Sequence, residues 1–433
     1  MDKTIKQIAR RAHDAAIQMA PLSSERKNAA LLRIAVALDE NKEKIFTANK
    51  LDLRNAADIK VAAPLMKRLA FDEMKLSEVI KGIHDLIRLP DPVGRTTYQN
   101  MLDEGLELFR VTCPIGVIGV IFEARPDALV QISALCLKSS NAVILKGGAE
   151  ASGTNTVLAQ IINDASAAEG IPDGWISLLM TRTDVNELLK MNKEVSLLIP
   201  RGSNSFVKYI MDNTTIPVLG HADGVCHTYI GEKADPDMAL RVFTDAKTQY
   251  VSVCNATETL LIHHNIVERL LPGLLSIIKA NNIEVYGDEQ TRGYLPCRQV
   301  NDWHTEYLDY AVSIKIVGSL QEAVDHINSY GSKHTEAIIT DDEGDARTFM
   351  SLVDSGNVFW NCSTRFSDGF RYGFGAEVGV STSKIHARGP VGLEGLVTYK
   401  YKLFGHGQIV GDYSTGRSSF IHRQSGSDCP FDR

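Results

Sequence analysis

Apolar residues recur every three or four positions through the first ninety residues: Ile5, Ile8, Ala12, Ala15 and Met19, then Leu31, Ile34, Ala35 and Leu38. That spacing gathers each set on one face of a helix and predicts a helical N-terminal region. From Leu108 the texture changes. The apolar run 115–122, interrupted by Gly116 and Gly119, predicts a parallel strand buried on both faces. A second strand over 142–145 ends in the turn Gly147-Gly148 and leads to a helix over 151–168. The stretch 196–199 repeats the unit, with a helix from about Ser203. Strands separated by helices of this length indicate βαβ units in a doubly wound sheet. A further α/β set follows Cys226, with strands near 227–230, 259–263, 283–286, 313–317, 337–340 and 358–361. No internal repeat is present. The last twenty residues, 414–433, are polar with few apolar anchors and predict a disordered tail.

Composition narrows the class. A chain of 433 residues should hold two or three domains, and its 44% hydrophobic and 23% charged residues are ordinary for a globular protein. A net charge of -7 argues against a nucleic-acid partner, which calls for a basic face. No apolar run approaches the roughly 18–20 residues that span a bilayer, so no membrane partner is expected. Residues 1–18 mix Lys, Arg and Asp with alanines and lack the apolar core of a secretory signal; their acidic residues also argue against a transit peptide. The seven cysteines are dispersed, odd in number and never in C-x-x-C spacing, which fits neither a disulfide framework nor a zinc site. A reducing, cytoplasmic setting without a metal is the expectation.

Candidate chemistry begins with TQYVSVCNATETLLIHH, residues 248–264. Its cysteine, Cys254, stands where small polar residues give way to an apolar strand, a place that ligands reach and the backbone holds rigidly. The residues alone leave two readings open, a packed apolar filler or a nucleophile. Three short polar turns, Glu123–Pro126, Lys146–Gly148 and Pro200–Ser203, would lie at the carboxyl ends of strands, where doubly wound sheets bind ligands. Two contain glycine, which lets a backbone approach a phosphate, and the helices that follow present free N–H groups to an anion. Such turns also serve merely as connections, and neither G-x-G-x-x-G nor G-x-x-x-x-G-K-[ST] occurs.

The segments GVIGVIFEARPDA, NAVILKGG, LIPRGS, VCNATETLL, STRFSDG and GAEVGVSTSKIHARGPVGLEGL together resemble the γ-glutamyl phosphate reductases, a branch of the aldehyde dehydrogenase superfamily. The resemblance covers all but the last twenty residues, and the block 374–396 is the most specific part. It is to the stand-alone reductase, without an N-terminal kinase module. The implied fold is α/β and aldehyde-dehydrogenase-like: a Rossmann-type cofactor domain over 1–94 and 112–225, an α/β catalytic domain over 226–395, and a small β oligomerisation flap over 95–111 and 396–413. The implied reaction is NADPH-dependent reduction of L-glutamyl 5-phosphate to L-glutamate 5-semialdehyde and phosphate, the second step of proline synthesis. Cys254 would be the nucleophile. The implied partners are further copies of the chain, as a dimer or tetramer, and a glutamate 5-kinase that supplies the acyl phosphate.

Residue by residue, the resemblance assigns Lys146, Gly147, Gly148, Arg201, Gly202, Ser203 and Glu306 to NADPH/NADP+. It leaves Arg125, Ser363, Thr364 and Arg365 for the substrate, whose carboxylate and phosphate suit planar arginine donors. The departures from aldehyde-oxidising relatives carry information. Their general base is a glutamate in a turn that corresponds to VLGHADG, residues 218–224, which contains none; His221 could in principle act as a base, although neutral histidines more often orient or pack. Loss of that base protects a thioester from water and favours phosphate-dependent chemistry over oxidation of a semialdehyde to its acid. Ala124 stands where those relatives place an oxyanion-binding asparagine, so backbone N–H groups must serve instead. Ala149 replaces the glutamate that holds the ribose hydroxyls in NAD-preferring relatives, with Glu150 one position later, which leaves room for a 2′-phosphate beside Lys146. His386, Arg388 and Pro390 receive no assigned role. A non-catalytic scaffold is disfavoured by retention of Cys254 and the cofactor turns.

Overall fold

The computed structural model describes residues 4–61, 63–123, 125–220, 223–375 and 377–431. The chain forms two compact units, one of Met1–Gly202, Tyr209–Val218 and Gly392–Arg433, the other of Ser203–Lys208 and Leu219–Val391. These divisions lie a few residues ahead of the expected boundaries at 225 and 395, and residues 95–111 belong with the first unit.

The first unit opens with the helices Ile5–Met19, Ser24–Glu40, Lys42–Asp58, Ala63–Leu69 and Glu73–Arg88. Their starts are set by side chains: Thr4 and Gln7 form a capping box, and Ser23 and Asp72 accept from N–H groups of the first turn. Leu31, Ile34, Ala35 and Leu38 are buried, as their spacing requires. A four-stranded parallel sheet runs in the order Ile176–Leu179, Ala142–Lys146, Val117–Phe122, Leu197–Arg201. Every residue of Val117–Phe122 is buried, which accounts for a run broken only by Gly119 and free of polar residues.

An antiparallel sheet of Thr96–Asp103, Leu106–Pro114 and Val397–Phe404 completes this unit. The expected disordered tail is corrected here. Met101 and Arg423 exchange backbone hydrogen bonds of 2.8 and 2.9 Å, Ile421 N–H donates to the Leu102 carbonyl at 2.8 Å, and Cys429 N–H donates to Thr96 Oγ1 at 2.8 Å. Cys429 is buried with Phe109 and Val111. Composition counts apolar anchors, whereas this tail is held by its backbone, which covers the open edge of Thr96–Asp103.

The second unit is built on a seven-stranded parallel sheet in the order Arg298–Gln299, Glu284–Gly287, Ala311–Val317, Thr257–His263, Cys226–Ile230, Thr335–Ile339, Asn357–Trp360. All six strands predicted after Cys226 are present, within two residues at each start. Thr257–His263 lies at the centre with all seven residues buried. The helices Pro236–Thr248 and Val267–Ala280 pack on one side through Phe243, Val267, Leu270 and Leu274, and Leu320–Tyr330 and Glu343–Leu352 bring Ala323, Ile327 and Phe349 to a second cluster.

Candidate active site

In the second unit Cys254 lies on the loop between the helix Pro236–Thr248 and the central strand Thr257–His263. It is half-buried. A Cβ at Gly224 would run into the Cys254 backbone, so this approach requires glycine. Beside it the thiol of Cys226 donates to the Cys254 carbonyl oxygen at 3.1 Å. Asn255 Nδ2 donates to the Ser367 carbonyl at 2.7 Å.

Arg365 is only 8% exposed. Its Nε donates to Gln249 Oε1 at 3.0 Å and its Nη1 to Asn255 Oδ1. The guanidinium therefore braces both ends of the cysteine loop. Burial and then the neighbouring Arg371 pull its pKa down, while the Cys254 thiolate leads the groups that favour its charge. Ser363 Oγ accepts the Arg365 N–H at 3.2 Å and caps the short turn Thr364–Phe366. Thr364 has no exposed surface; its hydroxyl lies 3.3 Å from Thr257 Oγ1, which is 2.8 Å from Thr228 Oγ1. This placement differs from the expected substrate contact, because a hydroxyl enclosed in a buried chain meets no ligand.

Glu306 precedes the strand Ala311–Val317, the parallel neighbour of Thr257–His263. Both loops thus enter the sheet at its amino edge, opposite to the carboxyl-edge rule used for the first unit. Glu306 Oε2 accepts from Asn204 Nδ2 at 2.6 Å, and the same amide donates to Asp223 Oδ1 at 2.8 Å. Asn204 starts the helix Asn204–Asp212, directly after Ser203. The exposed Ser203 accepts the Val207 N–H through its carbonyl at 3.0 Å.

In the first unit the residues that open the three predicted turns, Glu123, Lys146 and Pro200, lie at the ends of neighbouring strands, because Val117–Phe122 lies between Ala142–Lys146 and Leu197–Arg201. Lys146 Nζ donates to the Gly147 carbonyl at 2.6 Å. A Cβ at Gly147 would strike the Asn155 amide, and one at Gly148 the Glu150 carboxylate. Asn155 is buried, and its Oδ1 has no hydrogen-bond partner among the described residues. A buried acceptor left open beside a glycine turn fits a donor such as a ribose hydroxyl, so the residues present suit a nucleotide. Arg201 is half-buried, Gly202 exposed, and the exposed Arg125 stands at the N-cap of the helix Pro126–Lys138. Ala124 and His221 lie outside the described residues.

Arg388 donates Nη1 to Asp354 Oδ1 and Nη2 to the Asp354 carbonyl, both at 3.1 Å, while Lys384 meets Asp354 Oδ1 at 2.8 Å. Pro390 lies in the ribbon Gly379–Ser381 with Gly389–Val391, and His386 is exposed. The densest sequence motif thus includes a structural clamp within the second unit. Reading the sequence missed Asn155, Gln249, Asn255 and Cys226. The signal for Asn255 was its place beside the cysteine; Gln249 carries no local signal, since its partner Arg365 is remote in the chain, and Asn155 reads only as one polar residue of a helix. Among the described residues no group of His, Cys, Asp and Glu could hold a metal, and no helix is long and apolar enough to cross a membrane.

The aldehyde dehydrogenase family profile matches residues 1–292. The γ-glutamyl phosphate reductase of Acetivibrio thermocellus is 60% identical over 429 residues, covering 99% of this chain and 100% of that protein. The crystal structure of γ-glutamyl phosphate reductase from Thermotoga maritima superposes with a TM-score of 0.92 at 37% identity, over 94% of this chain and 100% of that one. An acetylating aldehyde dehydrogenase from Geobacillus thermoglucosidasius shares the fold alone, with a TM-score of 0.64 at 16% identity over 94% and 97% of the two chains.

Proposed function

The chain belongs to the γ-glutamyl phosphate reductases of the aldehyde dehydrogenase family, and we propose that it reduces L-glutamyl 5-phosphate to L-glutamate 5-semialdehyde and phosphate through a thioester on Cys254. The observation that carries the thioester is the loop around Cys254: a half-buried thiol whose flanking residues are braced by the Arg365 guanidinium. A carboxylate resists hydride addition because resonance and charge deactivate its carbonyl. The acyl phosphate is activated, so the Cys254 thiolate attacks its carbonyl carbon, the carbon–oxygen bond breaks and phosphate departs with the electron pair. Covalent capture divides one hard step into two easier ones. NADPH, when bound, supplies the hydride that reduces the thioester carbonyl. Cys254 then leaves as thiolate when the carbon–sulfur bond breaks, and the aldehyde is released.

Lys146, Gly147, Gly148, Arg201, Gly202, Ser203 and Glu306 would hold the nucleotide, with Asn155 Oδ1 as an added acceptor. Ala149 in place of a carboxylate favours NADPH over NADH. Arg125 would receive the phosphate, and Ser363, Thr364 and Arg365 form the rigid support of the cysteine loop. The strand Val397–Phe404 is an outer strand of its sheet and exposes Tyr399, Tyr401 and Leu403 on one face, which suits pairing between copies in a dimer or tetramer. The enzyme would act in the cytoplasm and receive its unstable substrate from a glutamate 5-kinase.

The test runs the reaction backwards. Residues 218–224 contain no glutamate, and the one carboxylate there, Asp223, accepts from Asn204, so the thioester lacks the glutamate base that activates water in aldehyde-oxidising relatives. Oxidation of glutamate-5-semialdehyde with NADP+ should saturate with added phosphate or arsenate and nearly stop without it. Arg125→Ala should raise the apparent KM for phosphate more than that for NADP+. Turnover in phosphate-free buffer that releases glutamate would assign the chain to aldehyde oxidation instead, with His221 as the first base to replace.

A further inference from the structure

Four residues beyond Cys254, a charged side chain occupies the central strand of the second unit. Glu258 has no exposed surface, nor has Lys247 on the preceding helix, and the two meet at 2.8 Å. Desolvation offsets much of the attraction in such a pair, so stability alone is a weak reason for it. The second carboxylate oxygen has another partner: Oε1 accepts the backbone N–H of Leu308 at 3.2 Å. The Leu308 carbonyl in turn accepts the hydroxyl of Ser252 at 3.2 Å. Leu308 has a φ of 53°, a left-handed conformation that side-chain-bearing residues rarely adopt. Such a conformation persists where its surroundings over-determine it. Here both peptide groups of Leu308 are held by residues that bracket Cys254 in sequence, and Leu308 lies two residues after Glu306.

We propose that Ser252 and Glu258 are positioning residues, which hold the Leu308 peptide and thereby fix the Glu306 carboxylate with respect to Cys254. The proposal rests on the reading that Glu306 meets the cofactor. The sheet ladder between Thr257–His263 and Ala311–Val317 begins only at Thr259 and Ser313, so the loops ahead of it need ties of their own. Hydride transfer is sensitive to small displacements of either loop, since it demands a near-attack geometry. Lys247 favours the ionised, accepting form of Glu258. Burial lifts the Glu258 carboxyl to about 7, Lys247 and the Leu308 N–H oppose that rise, and Glu306 adds to it.

Ser252→Ala provides the test, because an exposed serine can be changed without disturbing the core. In the cofactor-free protein, the Leu308 amide should exchange with solvent about three- to tenfold faster, the range that follows from loss of one hydrogen bond. NADPH binding, followed by fluorescence, should weaken by a similar factor, while the rate at which acyl phosphate acylates Cys254 stays unchanged. In a Glu306→Gln background the same substitution should weaken NADPH binding no further. Glu258→Gln, which keeps an acceptor for Leu308, should retain more affinity than Glu258→Ala. Unchanged exchange at Leu308, or equal losses of affinity in both backgrounds, overturns the proposal. If Glu306→Gln weakens NADPH binding and Ser252→Ala does not, only the tie is wrong. If Glu306→Gln binds NADPH like the wild type, the reading of Glu306 is wrong and the proposal falls with it.

Discussion

The Cys226 thiol donates to the carbonyl oxygen of Cys254 at 3.1 Å, so the buried cysteine acts on the half-buried one through its backbone. Burial pushes the Cys226 thiol well above its ordinary pKa and raises the thiols of Cys113, Cys136, Cys297 and Cys362 as well. Thiolate fraction governs alkylation. Iodoacetamide at neutral pH should therefore modify Cys254 before those five while the protein stays folded. Peptide mass spectrometry that finds Cys226 modified first would contradict this order.

Cys254→Ala should abolish hydride transfer while NADPH still binds. A γ-glutamyl adduct should appear by mass spectrometry on Cys254 in the wild type and on no other residue. Loss of a covalent nucleophile costs several orders of magnitude. Residual activity above about 1% would remove Cys254 from the nucleophile role.

Arg365→Lys tests whether the guanidinium acts as a brace. Lysine keeps the charge but cannot reach Gln249 and Asn255 with a planar fork. Unfolding free energy should fall by about 1.5–3 kcal/mol, the range for hydrogen bonds to a charged group. Activity should fall together with it. A variant as stable as the wild type, with only the substrate KM raised, would restore Arg365 to direct substrate binding.

For the cofactor, NADPH should exceed NADH in kcat/KM by at least about tenfold, or ~1.4 kcal/mol. Ala149→Glu should erode that margin by setting a carboxylate against the 2′-phosphate. Gly148→Ala should raise KM for both nucleotides, because its methyl group meets the Glu150 carboxylate. Equal use of both cofactors by the wild type would refute the reading of the Lys146 turn.

The clamp at Asp354 predicts an acid response. Its hydrogen bond from Lys384, assisted by Arg388, overcomes partial burial and holds the Asp354 carboxyl at about 2. A carboxylate whose folded pKa lies below the unfolded value of about 3.9 stabilises the fold above that value, and the contribution is lost as pH falls towards the folded pKa. Urea titrations should show Asp354→Asn less stable than the wild type by a constant margin from pH 7 to about 4. The margin should shrink below that. A margin that is flat down to pH 2.5 would mean that Asp354 is not so depressed.

Local pattern was enough for the inner strands of the two parallel sheets, because a strand buried on both faces writes a nearly continuous apolar run such as 117–122, and the helices between write a 3.6-residue period; the edge strands Ile176–Leu179 and Arg298–Gln299 were not foreseen. For the glycine turns and for Cys254 local pattern marked the positions, whereas the roles proposed for them came from the resemblance to the γ-glutamyl phosphate reductases. Chemistry carried by short segments is legible where the segment also makes the site. Tertiary structure alone decided the rest. The tail 414–431 is ordered by backbone bonds to an edge strand more than three hundred residues earlier, and backbone pairing leaves no mark in composition. Thr364 and Arg365 read as substrate contacts until burial placed one under the cysteine loop and turned the donors of the other to Gln249 and Asn255. Nor does any local rule foresee Leu308, a leucine in a glycine-like conformation. What holds it there comes from Ser252 and Glu258, some fifty residues earlier in the chain, and only folding brings them within 3.2 Å.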